Sequence, residues 1–353
     1  MIKKIGMLNL CCIALMQVAC SSNSTPSGKH SEQTELHAES STQSHERPQA
    51  SASSTASAQE HIINQRYKIE KIAQFDEPWA LASLADGQLL ITEKSGKLKL
   101  FDPITKQSAL VQGLPSVAYG GQGGLGDVAV HPDYAKNKWI YLSYAEKGKA
   151  GNGAVVIRAE LDLTQPNKPK LNNIKRIWEQ VPKVSGEGHY AHRIVFDQQK
   201  KLWISSGERQ QFDPAQDMNS NLGKIVHLND DGTASKDNPF FDQGGVAAQI
   251  WSLGHRNPLG LAFDASQKLW VVEMGPKGGD ELNLVLKGEN YGYPLVSNGD
   301  HYDGKPMPDH ATRPEFKPPE LDWTPVISPS SMMIYQSDVF PAWNNKAPLG
   351  GLS

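Results

Sequence analysis

The residues able to do chemistry sit in a few polar, glycine-rich inserts between apolar runs. His189 lies in GEGHYAHRIVF (186–196), and a neutral imidazole there can take a proton near neutral pH. Glu208 follows in SSGERQQFDPAQD (205–217), and Gln122 lies in YGGQGGLGDVAVHPD (119–133). A long block from 253 to 294 carries Arg256-Asn257, Gly275-Pro276, Asp280-Glu281 and Tyr291. Arg256 offers a permanently charged fork for carboxylate oxygens, and Asn257 adds a donor beside it. Each residue also has a plainer reading. A histidine among glycines is often a solvated turn residue, the reading we take for His192. Arg193 reads equally as a structural ion-pair partner, Arg-Asn-Pro as a turn capped by a surface arginine, and Asp280-Glu281 as a charged turn.

Composition excludes several chemistries. No GxGxxG opens a strand–helix unit, which argues against a nicotinamide or flavin Rossmann site. All three cysteines (Cys11, Cys12, Cys20) fall in the first 20 residues, so the body of the chain can hold neither a disulfide framework nor a zinc cage. A net charge of -3 gives no basic field for nucleic acid.

The elements that must position these residues repeat. LASLADGQLLITEKSGKLKLFD (81–102), VAVHPDYAKNKWIYLSYAEK (128–147), IVFDQQKKLWISSGE (194–208) and LAFDASQKLWVVEMG (261–275) share one plan. An apolar strand meets an Asp-bearing turn, and a Lys- or Gln-led strand rich in Leu, Ile, Trp and Val follows. Another copy opens at SMMIYQSDVFPAWNNKAPLGGL (331–352). Short strands, Gly/Asp/Asn turns and a repeat somewhat above 50 residues predict an all-β chain, a β-propeller with its site among the long loops.

The start of the chain reads as an address. Lys3 and Lys4 precede an apolar run over residues 5–19, too short to span a membrane comfortably, and Val18-Ala19-Cys20-Ser21 resembles a bacterial lipobox. We expect residues 1–19 to be a lipoprotein signal peptide. Cys20 would then carry the lipid, placing the protein on the bacterial cell envelope, facing the periplasm. Residues 20–60 read as a tether: 12 of the 40 positions from 21 to 60 are Ser, and Leu36 is the only large aliphatic. The propeller domain is expected over 61–353.

From about residue 70 onward the chain resembles the soluble quinoprotein glucose and aldose sugar dehydrogenases, the glucose/sorbosone dehydrogenase type. GHRNP (254–258), GPKGGDELN (275–283) and ENYGYP (289–294) occur in the family's order and nearly its spacing. The resemblance implies a six-bladed propeller that oxidises aldose sugars at C1, using pyrroloquinoline quinone held on calcium. Carried over residue by residue, it implies His189 as general base and Glu208 as its acidic partner. It likewise implies Gln122, Arg256 and Asn257 as cofactor-binding residues. The backbone carbonyls of Gly275 and Pro276 become calcium ligands, and Glu281 with the Tyr291 carbonyl ligands of a second, structural calcium. Trp323, shifted by one residue from the family's aromatic, either roofs the site or belongs to the core. The implied partners are an aldose, an electron acceptor and, through Cys20, a membrane.

In the family a final blade supplies a Lys and further Arg residues to the quinone carboxylates, whereas this sequence ends at Ser353 within the preceding strand. We therefore expect a C-terminally incomplete last blade. Either the sequence is a fragment or truncated product, the reading we favour, with the activity belonging to the full-length parent, or tight quinone binding has been lost. The chain as given should bind quinone weakly or not at all. Two other readings stay open: a calcium-dependent propeller hydrolase of the lactonase type, and a non-catalytic surface propeller that binds a protein or glycan.

Overall fold

The computed structural model describes residues 67–352. The leader, Cys20 and the Ser-rich tether lie outside the described residues. Four sheets have four antiparallel strands each. The first runs β1 (Pro78–Ser83), β2 (Leu89–Glu93), β3 (Lys97–Phe101), β4 (Ser108–Leu110); the second β5 (Leu125–Val130), β6 (Trp139–Lys147), β7 (Asn152–Asp162), β8 (Lys170–Glu179). The third runs β9 (Ala191–Phe196), β10 (Leu202–Ser206), β11 (Lys224–Leu228), β12 (Ile250–Leu253); the fourth β13 (Pro258–Phe263), β14 (Leu269–Glu273), β15 (Asp280–Leu284), β16 (Leu321–Trp323). A fifth sheet pairs β17 (Pro329–Met332) with β18 (Leu349–Gly351). Within each sheet the strands pair in chain order, and the first strands of successive sheets, β1, β5, β9, β13 and β17, touch one another in turn. Radially set meanders sharing an inner rim of first strands are a β-propeller.

The repeat has a physical cause. At the turn between the first two strands of the third sheet, Asp197 Oδ1 accepts the Lys201 N–H at 2.8 Å and Oδ2 the Trp203 indole N–H at 2.8 Å. Asp264 does the same for Lys268 (2.9 Å) and Trp270 (2.9 Å) in the fourth. In these two sheets one carboxylate thus closes the turn and seats the Trp of the next strand, which fixes Asp and Trp six positions apart there.

Cores lie between blades. One cluster joins Leu90, Leu98 and Leu100 of the first sheet to Ile140, Leu142 and Val155 of the second. Another joins Val156 and Trp178 of the second to Ile204 and Val226 of the third. Each aliphatic side chain buried there contributes roughly 1.5–3 kcal/mol. Because a blade is covered on both faces, its second strand can be buried throughout, as in LLITE of β2 and LWISS of β10. They read as apolar runs rather than strict alternation.

Arg193 ties the inner rim together. Its Nε donates to the Leu259 carbonyl at 2.6 Å and Nη2 to the Ser330 carbonyl at 2.8 Å, with Asp127 Oδ1 3.7 Å from Nη1. His192 differs from the solvated turn residue we expected. It is buried beneath Trp79, with Nδ1 2.7 Å from Ser143 Oγ, and a Cβ on Gly126 would lie 1.8 Å from its ring. Strand β9 turns it inward, and the missing side chain at Gly126 makes the space, a long-range fit that its neighbours in sequence do not display.

Candidate active site

The loop entering β9 carries His189 with φ 49, and Ala191 and His192 are also left-handed, with φ 54 and 52. Beyond β10, Arg209, Gln210 and Phe212 have φ of 61, 60 and 64. Left-handed non-glycine backbone costs on the order of 1 kcal/mol per residue and persists only where its surroundings enforce it. Enforcement here is close packing: a Cβ on Gly207 would lie 2.1 Å from the His189 carbonyl, so only glycine lets the two loops meet.

That approach brings His189 Nδ1 into hydrogen-bond contact with Glu208 Oε1. The Glu208 carboxylate only accepts, so Nδ1 carries the hydrogen and the Nε2 lone pair remains; among the described residues none bonds Nε2. Glu208 Oε2 accepts the Phe212 N–H at 2.7 Å. Gln122 arrives from the second sheet's entry loop, its Oε1 accepting the His189 backbone N–H at 2.6 Å.

Burial pushes the His189 pKa below its ordinary value. The Glu208 hydrogen bond opposes this, while the charges of Arg256 and Arg209 reinforce it. For Glu208 burial works upward, but the hydrogen bond from His189 and the Phe212 amide hold the carboxyl below its usual range. The pair therefore stands at neutral pH as a neutral imidazole against a carboxylate.

The neighbouring loop, 254–257, is locked to this pair by the Glu208 N–H donating to the Arg256 carbonyl at 2.9 Å. Glu273, at the end of β14, takes the Arg256 N–H on Oε2 (2.7 Å) and faces His255 Nδ1 with Oε1 (2.8 Å). Arg256 Nη1 donates to the carbonyls of Met274 (2.9 Å) and Gly275 (2.6 Å), and the guanidinium lies 5.9 Å and 5.7 Å from the rings of Tyr293 and Tyr302. Asn257 is fully buried, yet both side-chain polar atoms lack partners among the described residues, as does Arg256 Nε. Orphaned buried amide atoms are rare and call for a ligand or ordered water.

Gly275, Pro276 and Glu281 line one small cleft together with Arg256 and Glu273. Asp280 is used within the protein: it accepts N–H groups of Gly275, Ile327 and Ser328, at 2.9, 2.8 and 2.8 Å. Glu281 Oε2 accepts Asn283 Nδ2 at 2.9 Å, and Oε1 lies 3.6 Å from His310 Nε2. Burial, aided by the Glu273 charge, pushes the Glu281 carboxyl up. Asn283 Oδ1 and both ring nitrogens of His310 are without hydrogen-bond partners among the described residues. Tyr291 packs its ring on His255 and is not among the residues lining the cleft. Trp323, half-buried, stands in register with Asp280 on the outermost strand of the fourth sheet.

Sequence reasoning passed over Glu273 and Arg209. A Glu ending the apolar strand LWVVE is the trace Glu273 leaves; Arg209 leaves none, because its partners come from the preceding loop.

Fold and site define a β-propeller with a buried imidazole–carboxylate pair beside an arginine–asparagine cradle. The chain belongs to the glucose/sorbosone dehydrogenase family, whose model matches residues 75–353. It is 40% identical over 288 residues to the aldose sugar dehydrogenase YliI of Escherichia coli, a match spanning 79% of this chain and 76% of that protein. The crystal structure of the soluble aldose sugar dehydrogenase from Escherichia coli in its apo form superposes with a TM-score of 0.73 at 39% identity, covering 78% of this chain and 80% of that one. The PQQ-bound form of aldose sugar dehydrogenase from Streptomyces coelicolor gives 0.63 at 29% identity, over 75% and 74% of the two chains.

Proposed function

We propose that this chain oxidises the C1 hydroxyl of aldose sugars to lactones, with hydride passing to pyrroloquinoline quinone held on calcium and His189 as general base. The observation that carries the reading is the His189–Glu208 pair set against Arg256 and Asn257. The orphaned amide of Asn257 and Nε of Arg256 suit a ligand rich in carbonyl and carboxylate oxygens, and a relative solved with this quinone supports that choice. Gly275 and Pro276 offer hard carbonyl oxygens of the kind calcium takes; the Gly275 oxygen, already accepting from Arg256, keeps a second lone pair. When bound, the quinone would supply the two-electron acceptor and calcium a Lewis acid beside it.

The chain's own residues do the rest. His189 Nε2 takes the hydroxyl proton as C1 gives up its hydrogen with the bonding pair and the C1–O double bond forms. Glu208 holds the tautomer that exposes Nε2 and then stabilises the imidazolium. Gln122 fixes the backbone of His189, and Arg256 with Asn257 orients the acceptor. Glu281, with the Tyr291 carbonyl, is proposed to hold a second, structural calcium. The six-blade count belongs to the same reading. So does a lipid anchor at Cys20 facing the periplasm, from which electrons leave to a separate acceptor.

The test is sugar-dependent dye reduction by the purified chain after addition of quinone and calcium. His189→Gln should lower kcat by roughly 10²–10⁴ while quinone binding, read by absorbance, survives. Retained turnover in that variant would remove His189 from the mechanism.

A further inference from the structure

Arg209 is fully buried, yet among the described residues it makes no ion pair. Its guanidinium donates instead to backbone oxygens of the loop that delivers His189: to the Gly188 carbonyl through Nη1 and to the Gly186 carbonyl through Nη2 at 2.7 Å. The Asn152 carbonyl lies 3.4 Å from Nη2, and the ring of Tyr190 lies 3.5 Å below the guanidinium carbon. The Arg209 N–H closes the circuit on the His189 carbonyl at 3.2 Å. Burying a guanidinium without a carboxylate partner carries a desolvation cost, so fold stability alone does not account for an arginine here.

We propose that Arg209 is a positioning residue: by gripping the carbonyls on both sides of Glu187 it holds the 186–189 loop in the shape that sets His189 against Glu208. No sugar or cofactor contact is assigned to it. The clamp is bidentate and planar, which lysine cannot reproduce. It also places a fixed positive charge near the imidazole. The charged groups bearing on His189 are Glu208, which favours its protonation, and Arg256 and Arg209, which oppose it.

The inference rests on reading His189 as the base, so its test needs one measurement that does not depend on turnover. In the full chain, Arg209→Met should lower kcat roughly 10–100-fold with the sugar KM changed less than about twofold, since a small misplacement of the base costs rate more than binding. The acid limb of kcat/KM should move to higher pH, because a cation near His189 has gone. Arg209→Lys keeps the charge and loses the fork, so its limb should stay while kcat still falls. Independently, the His189 ring is titrated by NMR without quinone, its signal assigned by its loss in His189→Gln. It should titrate at higher pH in Arg209→Met and unchanged in Arg209→Lys. An unshifted titration with wild-type kcat in folded Arg209→Met overturns the proposal. A shifted titration with wild-type kcat upholds the electrostatic contact but overturns the positioning role, while His189 as base stands or falls with His189→Gln. Should Arg209→Met fail to fold, Arg209→Lys decides alone, and wild-type kcat there overturns the clamp.

Discussion

The backbone N–H of Glu208 donates to the carbonyl of Arg256 at 2.9 Å, joining the third sheet's imidazole–carboxylate loop to the fourth sheet's entry loop. Base and cradle are therefore one hydrogen-bonded unit, although 47 positions separate the two residues in the chain. A change on either side is felt on the other.

Glu208→Gln tests the pair from the carboxylate side. The amide can still meet Nδ1, but it removes the charge that favours imidazolium. We expect kcat to fall by roughly 10²-fold or more. The acid limb of kcat/KM should move to lower pH, since the group that raises the His189 pKa is gone. A pH–rate profile of wild type and variant checks both; a limb moving the other way would contradict the assignment.

Asn257→Leu separates stability from function. In the ligand-free protein it exchanges an unpartnered buried amide for an apolar group of similar volume, so the melting temperature should hold or rise. Quinone affinity should fall about tenfold or more, as one or two hydrogen bonds to the cofactor disappear. Thermal melts without cofactor and equilibrium dialysis with it measure the two effects separately.

His192 should make the fold acid-sensitive. Burial lowers its pKa from 6.5 to about 3, so the folded protein keeps it neutral where the unfolded chain protonates it. The stability this residue contributes is complete above pH 6.5 and is lost as pH falls from 6.5 towards 3, by up to about 1.4 kcal/mol per pH unit. Urea midpoints between pH 7 and 4 should fall less steeply in His192→Gln than in wild type, whatever their absolute values.

Calcium should raise the melting temperature if Glu281 holds it, because a ligand bound only by the folded state stabilises by mass action. Glu281→Gln keeps the shape and the Asn283 contact but loses the charge. The calcium-dependent rise, measured without quinone, should then shrink, leaving only what the Gly275–Pro276 site contributes. An equal rise in both proteins would place any bound calcium elsewhere.

Much of the fold was legible because a propeller repeats its local physics. Asp197 with Trp203 and Asp264 with Trp270 leave the same residues at the same offsets, and inter-blade burial leaves apolar runs around them. The glycine-rich insert at 186–189 and Gly254 at the head of 254–257 likewise announce where loops approach closely. What the sequence could not display is which loops meet. Gly207 reads as a turn glycine until the His189 carbonyl is found above it, and Gly126 is unremarked until His192 fills its space. His192 and His189, three positions apart, take opposite roles. One is sealed under Trp79, and the other faces a carboxylate 19 residues away. Arg209 acts through backbone carbonyls, which every residue has, so no pattern of side chains marks its partners. Glu273 joins a backbone N–H of Arg256 to the side chains of His255 and Asn283 from a distant strand. Residue type and local spacing determined strands, turns and the candidate chemistry. Burial, protonation state and loop contacts depend on which surfaces meet when the blades close, and only the tertiary structure decided them.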